Sequence, residues 1–396
     1  MKIKVLIVDD ERAIRDLLCD AVRSAGYEVF SAPNGEEALS LIKQENVHIA
    51  ICDIKMPGMS GIELLKQILD ISPETVVIMI TAYASVETAV EALRYGAFDY
   101  VLKPLIYEDV ITKITRINQY LKIKRENQIL RQEVEKQYDF HNIIAKSQPM
   151  QNVFDMIRKV SKTKSNILIT GESGTGKEMI ARALHFNSPM KEGKFIPVNC
   201  GAIPSTLWES ELFGHLSGAF TGATSNKAGY LQIVEGGTLF LDEISEIPLD
   251  AQVKLMRVIE NQEFTPLGSV KTQMLSARII AASNQDLKKM VEQGKFRDDL
   301  YYRLNVIQIH IPHLRERKED IPPLVRHFIG QYNRELGKNI QGVDNMTMKL
   351  LLSCNWKGNV RELKNAIERA MIFCDRELIG YMTFRRNFVS QRKYPS

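Results

Sequence analysis

The stretch Gly171-Glu172-Ser173-Gly174-Thr175-Gly176-Lys177 decides the fold of the larger part of this chain. The run before it, Asn166-Ile167-Leu168-Ile169-Thr170, is short and uncharged, which predicts a buried strand. After it, apolar residues recur at helical spacing, namely Met179, Ile180, Ala183 and Leu184. A glycine-rich loop between a strand and a helix lets successive N–H groups turn inward toward phosphate oxygens. We therefore predict a nucleotide site at this loop.

Charged residues beside the loop extend this prediction. Lys177 supplies a full positive charge for the β- and γ-phosphates, and the helix that follows adds its partial charge. Glu178 stands where the usual pattern has a Ser or Thr that binds magnesium, so the metal must be held elsewhere. An apolar strand, Thr238–Leu241, delivers two adjacent carboxylates. Asp242 suits Mg²⁺, and Glu243 suits polarising the water that attacks the γ-phosphorus.

Length and composition bound the protein class. A chain of 396 residues with 44% hydrophobic and 25% charged residues is typical of a globular protein of two or three domains. The net charge of +4 is too small to indicate a nucleic-acid or membrane surface. The five cysteines are scattered without metal-ligand spacing, which favours a reducing compartment. No signal peptide or apolar run of membrane-spanning length is present, so we expect a cytoplasmic protein without membrane contact.

The first 120 residues alternate strand and helix patterns, which predicts a parallel sheet wrapped by helices. The apolar runs are Val5–Val8, Ile49–Ile51, Val76–Ile80 and Tyr100–Leu102. Asp9 and Asp10 follow the first run and Asp53 follows the second, while Thr81 and Lys103 follow the last two. Ligands of such folds bind at the carboxyl ends of strands, so these side chains should converge. Three close carboxylates repel unless a cation such as Mg²⁺ lies among them.

These residues resemble a two-component response-regulator receiver domain. The matching motifs are Asp9-Asp10, Asp53-Ile54-Lys55-Met56-Pro57-Gly58, Thr81-Ala82 and Lys103-Pro104. The resemblance implies a flavodoxin-like fold in which Asp53 accepts a phosphoryl group from a histidine kinase. It also implies that Asp9 and Asp10 hold Mg²⁺ together with Asp53, with the main chain of Lys55 completing the site.

The same resemblance assigns three further residues. Thr81 and Lys103 would hold the phosphoryl oxygens, and Tyr100 would be the rotating switch aromatic. Lys103-Pro104 resembles the cis peptide of the family. The residue types alone also support phosphoryl transfer to Asp53, because a carboxylate nucleophile needs a metal and a lysine to neutralise charge during in-line transfer.

A charged helical pattern without glycine or proline follows the first domain, and we assign 121–140 to a helical linker. Ile123, Asn127, Leu130 and Val134 have the 4-3-4 spacing of a coiled-coil seam, and a polar Asn at such a position fixes register. The stretch is short, so it predicts either a dimerising coiled coil or a single amphipathic helix lying on a domain.

The segment Gly218-Ala219-Phe220-Thr221-Gly222-Ala223 is a glycine-bounded loop that presents one aromatic side chain. Taken alone, it indicates either a packed turn or a contact with another macromolecule. It resembles the sigma-54-contacting loop of the NtrC-type activators among AAA+ ATPases, and the resemblance runs from about Ile144 to Cys374. That family also carries Glu at the position of Glu178.

Asn284 follows the apolar strand Arg278–Ala282, and this position makes it a candidate polar sensor of the γ-phosphate. The NtrC resemblance implies roles for four more residues. Asn199 would restrain Glu243 until the nucleotide state changes. Arg297 and Arg303 match arginine fingers that enter a neighbour's site, which requires a ring, and Arg361 matches the sensor arginine of a helical lid.

The fold prediction is α/β in five segments. They are a receiver domain at 1–120, a linker at 121–140, an AAA+ P-loop α/β subdomain at 141–311, an α-helical lid at 312–376 and a short basic tail at 377–396. Family members usually end in a helix-turn-helix, for which the residues after Arg369 leave little room. We therefore expect no specific DNA-binding domain in this sequence, either because the native protein lacks one or because the sequence is truncated.

Together these patterns predict a response regulator and ATPase that remodels sigma-54 RNA polymerase under control of Asp53 phosphorylation. Its expected cofactors are ATP and Mg²⁺. Its expected partners are a histidine kinase, the polymerase and itself, as an inactive dimer and an active hexameric or heptameric ring. Two alternatives remain open: a nucleotide-binding adaptor without turnover, and a remodelling ATPase for another protein target.

Overall fold

The structure of the chain is a computed structural model that describes residues 2–81, 86–137, 143–382 and 384. The chain divides into two compact units, Met1–Gln132 and Glu133–Ser396. Among the described residues, no helix combines the length and the apolarity needed to cross a membrane.

The first unit alternates strands and helices along the chain. Its elements are β1 (Lys4–Val8), α1 (Arg12–Ser24), β2 (Glu28–Ala32), α2 (Gly35–Gln44), β3 (Ile49–Asp53), α3 (Gly61–Ile71), β4 (Val76–Thr81), α4 (Val86–Arg94), β5 (Asp99–Leu102) and α5 (Tyr107–Gln137). All strand pairs are parallel and the order is β2-β1-β3-β4-β5. This is the flavodoxin-like order, which confirms the predicted fold.

The central strands are buried on both faces. Leu6 and Val8 of β1 pack into the core on one side of the sheet, while Val5 and Ile7 pack into the core on the other. Such strands appear in sequence as uninterrupted apolar runs, which is why they were predictable. The edge strand β2 was absent from the predicted runs, because its residues are mostly half-buried or exposed and its sequence, Glu-Val-Phe-Ser-Ala, is mixed.

Helix α5 continues without a break past the predicted domain boundary at residue 120. Its first turns bury Val110, Ile114 and Ile117 against the sheet. Beyond them Ile123 is 60% and Leu130 59% exposed. Asn127 is exposed as well, and the side chain of Val134 and residues 138–142 lie outside the described part. The seam therefore presents apolar side chains to solvent, and its pairing stays a prediction.

The second unit is built around another parallel sheet. Its elements up to residue 310 are α6 (Gln148–Val160), β6 (Ile167–Thr170), α7 (Lys177–Phe186), β7 (Phe195–Asn199), α8 (Trp208–Phe213), β8 (Gly214–His215), β9 (Lys227–Ala228), α9 (Tyr230–Ile233), β10 (Thr238–Asp242), α10 (Leu249–Asn261), β11 (Glu263–Phe264), β12 (Gln273–Met274), β13 (Arg278–Ser283), α11 (Leu287–Glu292), α12 (Asp298–Leu304) and β14 (Ile307–His310). The five-stranded sheet has the order β14-β6-β13-β10-β7. The edge strand β14 was not predicted, because Gln308 and His310 interrupt its apolar pattern.

A helical lid follows the sheet, as predicted. Its elements are α13 (Ile321–Leu336), β15 (Gly342–Val343), α14 (Asn345–Ser353), α15 (Asn359–Ile372) and β16 (Leu378–Ile379). Pro322 and Pro323 occupy the first turn of α13, where a missing N–H costs nothing. Ile379 and Phe384 are buried in the lid core, so the lid extends beyond the predicted boundary at residue 376. The remainder of the predicted tail, 385–396, lies outside the described residues.

Candidate functional site

Three carboxylates converge at the carboxyl edge of the first sheet. Asp9 follows β1, Asp10 comes next, and Asp53 ends β3, the neighbouring strand. One oxygen from each lies within 4.8 Å of the others. Asp9 and Asp53 are buried, while Asp10 is exposed. The convergence predicted from the strand ends is therefore present.

Lys103 reaches this cluster from the end of β5. Its Nζ lies 2.5 Å from Asp53 Oδ2 and 3.2 Å from Asp9 Oδ2. Burial alone would lower the pKa of Lys103, but its bonds to both carboxylates outweigh burial and raise that pKa above its usual range. Burial raises the pKa of Asp9, against the opposing effect of the Glu11 N–H and of Lys103. The ammonium thus partly neutralises the cluster.

The cluster fits a hard cation. Asp9 Oδ2 is buried and, among the described residues, accepts no well-aligned hydrogen bond, although Lys103 is within ion-pair distance. Within the part of the chain that the structure describes, Asp53 Oδ1 accepts a hydrogen bond from the Lys55 N–H at 3.2 Å. Carboxylate oxygens with spare acceptor capacity are ligands that Mg²⁺ prefers, so the residues present suit this metal.

The other predicted receiver residues flank the cluster. Thr81, at the end of β4, is buried, and Tyr100 on β5 is partly buried against the core. Lys103-Pro104 is a cis peptide, as the resemblance implied. Ala82 and residues 83–85 lie outside the described part.

The nucleotide loop lies between β6 and α7, as predicted. Lys177 is buried, and its Nζ donates to the carbonyls of Gly171 at 3.0 Å and Glu172 at 3.1 Å. Burial lowers the pKa of Lys177, while the charges of Asp242 and Glu243 oppose that shift. The ammonium is thus held close to the loop, with acidic groups in range.

The glycines of this loop serve different needs. Gly174 and Gly176 have φ angles of 76° and 104°, in the left-handed region that favours glycine. A Cβ on Gly176 would meet nothing within 4 Å, whereas a Cβ on Gly174 would lie 2.4 Å from the Gly358 carbonyl oxygen of the lid. The backbone conformation alone therefore favours glycine at 176. At 174, glycine is favoured both by the backbone conformation and by the close approach of the lid.

Two carboxylates end β10, which lies between β13 and β7 in the sheet. Burial raises the pKa of Asp242, and its Oδ1 accepts the Glu243 N–H at 2.9 Å. Glu243 has a φ of 55°, a left-handed conformation that non-glycine residues adopt rarely and usually at functional sites.

Asn199 does not bond directly to Glu243 in the described part of the chain. Instead its Oδ1 caps the turn that follows β7, accepting the N–H groups of Gly201 at 2.9 Å and Ala202 at 3.1 Å. The Glu243 carboxylate lies over this turn, since a Cβ on Gly201 would be 2.9 Å from Glu243 Oε2. Asn199 thus shapes the surface against which Glu243 rests. Asn284 is exposed just after β13.

The two predicted arginine fingers are exposed and paired within their own chain. Arg297 makes two hydrogen bonds to Asp299, at 2.8 and 3.0 Å. Arg303 donates to Glu260 at 2.8 Å, and about half of its side chain is exposed. Their pairing with surface carboxylates leaves both guanidinium groups accessible from solvent.

The lid contacts the nucleotide loop through residues that sequence analysis mostly missed. Arg361, the predicted sensor arginine, donates to Ser173 Oγ at 3.0 Å. Arg315 binds the Glu172 carboxylate with two hydrogen bonds, at 3.1 and 3.2 Å, and holds the pKa of Glu172 at about 2. Buried Arg317 donates to the Thr175 carbonyl at 2.9 Å. The basic run His313-Leu314-Arg315-Glu316-Arg317 was the available signal.

The predicted contact loop is a compact turn. The Gly218 N–H donates to the Ala223 carbonyl at 2.8 Å, and Phe220 is 40% exposed with its edge against His215. A second loop, which contains Leu267 and Val270, lies beside it, because the Leu216 N–H donates to the Leu267 carbonyl at 3.0 Å. Val270 in this second loop is fully exposed, a feature that the sequence analysis did not single out.

Family models match almost the whole chain. The response regulator receiver domain matches residues 5–115, the sigma-54 interaction domain 143–310 and the AAA+ ATPase lid domain 315–395.

Two regulatory proteins from bacteria match more than nine-tenths of this chain. The chain is 45% identical to the regulatory protein AtoC of Escherichia coli K12 over 93% of this chain and 80% of the relative. It is 43% identical to the DNA-binding transcriptional regulator NtrC of Salmonella typhimurium over 91% of this chain and 76% of the relative.

A solved structure agrees with these matches. NtrX from Brucella abortus in complex with ATP is 34% identical, with a TM-score of 0.65, covering 100% of this chain and 87% of that one. The domains and their order are those of phosphorylation-controlled activators of sigma-54 transcription, whose AAA+ domain is a nucleotide-binding ATPase module. The chain belongs to the NtrC family of sigma-54-dependent response regulators.

Proposed function

We propose that this protein hydrolyses ATP to remodel sigma-54 RNA polymerase for promoter opening, under control of phosphorylation at Asp53. The observation that carries the proposal is one chain holding both a carboxylate–lysine cluster suited to phosphoryl transfer and a strand–loop–helix nucleotide site with two carboxylates in range.

In the receiver, Asp53 is the nucleophile toward a phosphohistidine of the partner kinase. Its oxygen forms a bond to phosphorus while the P–N bond breaks and the electron pair leaves with the imidazole. Lys103 and Thr81 hold the phosphoryl oxygens, and the Tyr100 ring rotates when Asp53 is phosphorylated. Asp9, Asp10, Asp53 and the Lys55 main chain would hold Mg²⁺ here. When bound, Mg²⁺ supplies charge neutralisation at the phosphoryl oxygens.

In the ATPase domain, residues 171–178 bind the phosphates and Lys177 contacts the β- and γ-phosphates. Asp242 would hold the Mg²⁺ that accompanies the nucleotide. Glu243 accepts a proton from the attacking water, whose oxygen bonds to the γ-phosphorus as the bridging P–O bond to ADP breaks. Asn199 positions Glu243 through the turn that it caps. Asn284 senses the γ-phosphate.

Arginines complete the nucleotide site. Arg361 approaches from the lid of the same subunit, while Arg297 and Arg303 approach from a neighbour, which requires a ring of subunits. The exposure of both guanidinium groups supports this arrangement.

The loop Gly218–Ala223 is the mechanical contact with sigma-54, and the partly exposed Phe220 supports this role. Thr221→Ala tests the target: loss of sigma-54 binding with ATP hydrolysis retained is expected. Retained binding would favour a different protein target.

The exposed seam of α5 supports an inactive dimer. We expect Leu130→Asp to place a charge in the paired seam and release monomers, as measured by sedimentation equilibrium. An unchanged mass would reject the coiled-coil dimer.

The main test measures ATP hydrolysis against protein concentration, with and without a small-molecule phosphoryl donor, in wild type and Asp53→Ala. A steep concentration dependence that the donor enhances in wild type alone is expected. Hydrolysis indifferent to both variables would remove the regulatory half of the proposal. No hydrolysis under any condition would favour the adaptor alternative.

A further inference from the structure

The outer face of the nucleotide loop is bound to the lid along its length. Within Gly171–Thr175, four consecutive residues bond to lid residues: Glu172 and Ser173 to Asn359, Gly174 to Val360, and Thr175 to Arg317. The loop and the lid are thus in direct contact where nucleotide phosphates are expected to bind.

Glu172 makes the largest share of these contacts. Its Oε1 accepts from Arg315 at 3.1 Å. Its Oε2 accepts from Arg315 at 3.2 Å and from Asn359 at 3.0 Å, and it lies 3.0 Å from His313 Nδ1. We call the four residues Glu172, His313, Arg315 and Asn359 the latch.

The latch joins two separate parts of the lid. His313 and Arg315 lie at its entry, where the chain leaves β14, while Asn359 begins α15. Asn359 is fully buried, has a φ of 53°, and accepts the Leu314 N–H at 2.8 Å. A single carboxylate therefore binds both lid segments, and those segments also bind each other.

The main chain of Glu172 makes a separate contact, with Lys177 of the same loop. Its carbonyl accepts from Lys177 Nζ at 3.1 Å. Any rearrangement that draws the Lys177 ammonium toward phosphate therefore acts on the same residue that holds the lid. Arg361, which contacts the next residue, Ser173, follows Asn359 on α15, so a shift of the latch moves Arg361 as well.

We infer that Glu172 is a positioning residue for ATP hydrolysis: its side chain sets the lid, and with it Arg361, relative to the phosphates, while its main chain remains part of the phosphate-binding loop. This inference rests on the proposed ATPase function. It assigns to the glutamate of the loop a role that the glycines and Lys177 do not share. Because hydrolysis is sensitive to small displacements of the groups around the phosphate, the latch should affect turnover more than affinity.

The test compares Glu172→Gln with wild type and with Asp155→Asn. The control breaks an Arg–carboxylate pair of similar chemistry, Arg158–Asp155 on α6, away from the loop. We expect Glu172→Gln to lower kcat by about tenfold or more, while the Kd for a fluorescent ATP analogue changes less than about threefold. Asp155→Asn should change neither. An unchanged kcat in Glu172→Gln, with an active wild type, would overturn the inference.

A double-mutant cycle with Arg315→Gln identifies the contact. If both residues act through one latch, the double variant should lose about as much kcat as either single variant, since the shared interaction is already broken. Losses that multiply would mean that Glu172 acts without Arg315. Glu172→Asp, which keeps the charge on a shorter side chain, should recover part of the loss.

A structural readout separates this inference from the proposed function. All five cysteines are buried, so spin labels can be placed at Lys288→Cys on α11 and Glu335→Cys on the lid. We expect a narrow label-to-label distance distribution in the Glu172 protein and a broader one in Glu172→Gln, both without nucleotide. Identical distributions would overturn the latch even if the wild type hydrolyses ATP. A wild type without hydrolysis would reject the proposed function alone.

Discussion

The two sites of this protein differ in how their residues are assembled. In the first unit, every group of the carboxylate–lysine cluster stands at or just past the end of a parallel strand, and the sheet alone brings them together. In the second unit, strand ends supply the loop, Asp242 and Glu243, together with Asn199 and Asn284. The outer side is supplied by a separate helical body that begins after β14. The first site is a product of topology, and the second depends on how a lid is held.

The comparison predicts its largest effect at the nucleotide site. We expect Glu243→Gln to reduce ATP hydrolysis by about a hundredfold or more while ATP binding persists, because the amide cannot accept the proton of the attacking water. Phosphate release and fluorescent-nucleotide binding measure the two properties. Incorporation of phosphoryl groups at Asp53 should be unaffected. A reduced incorporation would mean that the two sites are not separate in their chemistry.

A smaller effect is expected at the cluster of the first unit. Lys103→Ala leaves Asp9 and Asp53 buried without their cation, so the free energy of unfolding should fall by about 2 kcal/mol or more in the presence of a chelator. Adding Mg²⁺ should recover most of this loss. Thermal unfolding with and without the metal measures both changes, and a Mg²⁺-independent loss would contradict the proposed metal ligands.

The latch predicts a pH dependence of stability. The pKa of Glu172 is about 2 in the folded protein, below the usual 4.5, because of Arg315, so its charge stabilises the fold above about pH 4.5. That contribution is lost as pH falls from 4.5 toward 2. The difference in unfolding free energy between wild type and Glu172→Gln should therefore shrink on acidification. Since the carboxylate is partly exposed, we expect at most about 1 kcal/mol by urea unfolding.

The smallest effect is expected at the arginine pairs. Glu260→Gln removes the carboxylate that holds Arg303, at a stability cost below about 1 kcal/mol because the pair is exposed. If Arg303 enters a neighbouring site, its release should lower the protein concentration for half-maximal hydrolysis by a small factor. Arg158→Gln, which breaks another exposed pair, is the control. Equal effects of both variants would argue against a specific role of Glu260.

How well each site could be predicted from the sequence depends on whether its residues stand at strand ends or are brought together by the lid. Asp9, Asp53, Thr81 and Lys103 could be placed because each directly follows an apolar run, and parallel strand ends converge. The loop and Asp242 were predictable for the same reason.

Other features gave no such local signal. Strands β2 and β14 lie at sheet edges with mixed sequences, which have no clear period. The contacts of Glu172 with Arg315 and Asn359 join residues far apart in the chain, and no periodicity reports such a pairing. Asn199 was predicted to restrain Glu243, but its capping of the turn under the Glu243 carboxylate had no signal in the sequence.

The close approach of Gly174 to the lid has a practical consequence for protein engineering. Because a Cβ there would overlap the Gly358 carbonyl, even a methyl group acts as a wedge between the two bodies. At Gly176 the surroundings are open, so a substitution strains the backbone without pushing on the lid. Alanine at either position strains the backbone of the phosphate loop, but alanine at 174 also pushes the lid away, so comparing the two variants isolates the effect of lid displacement.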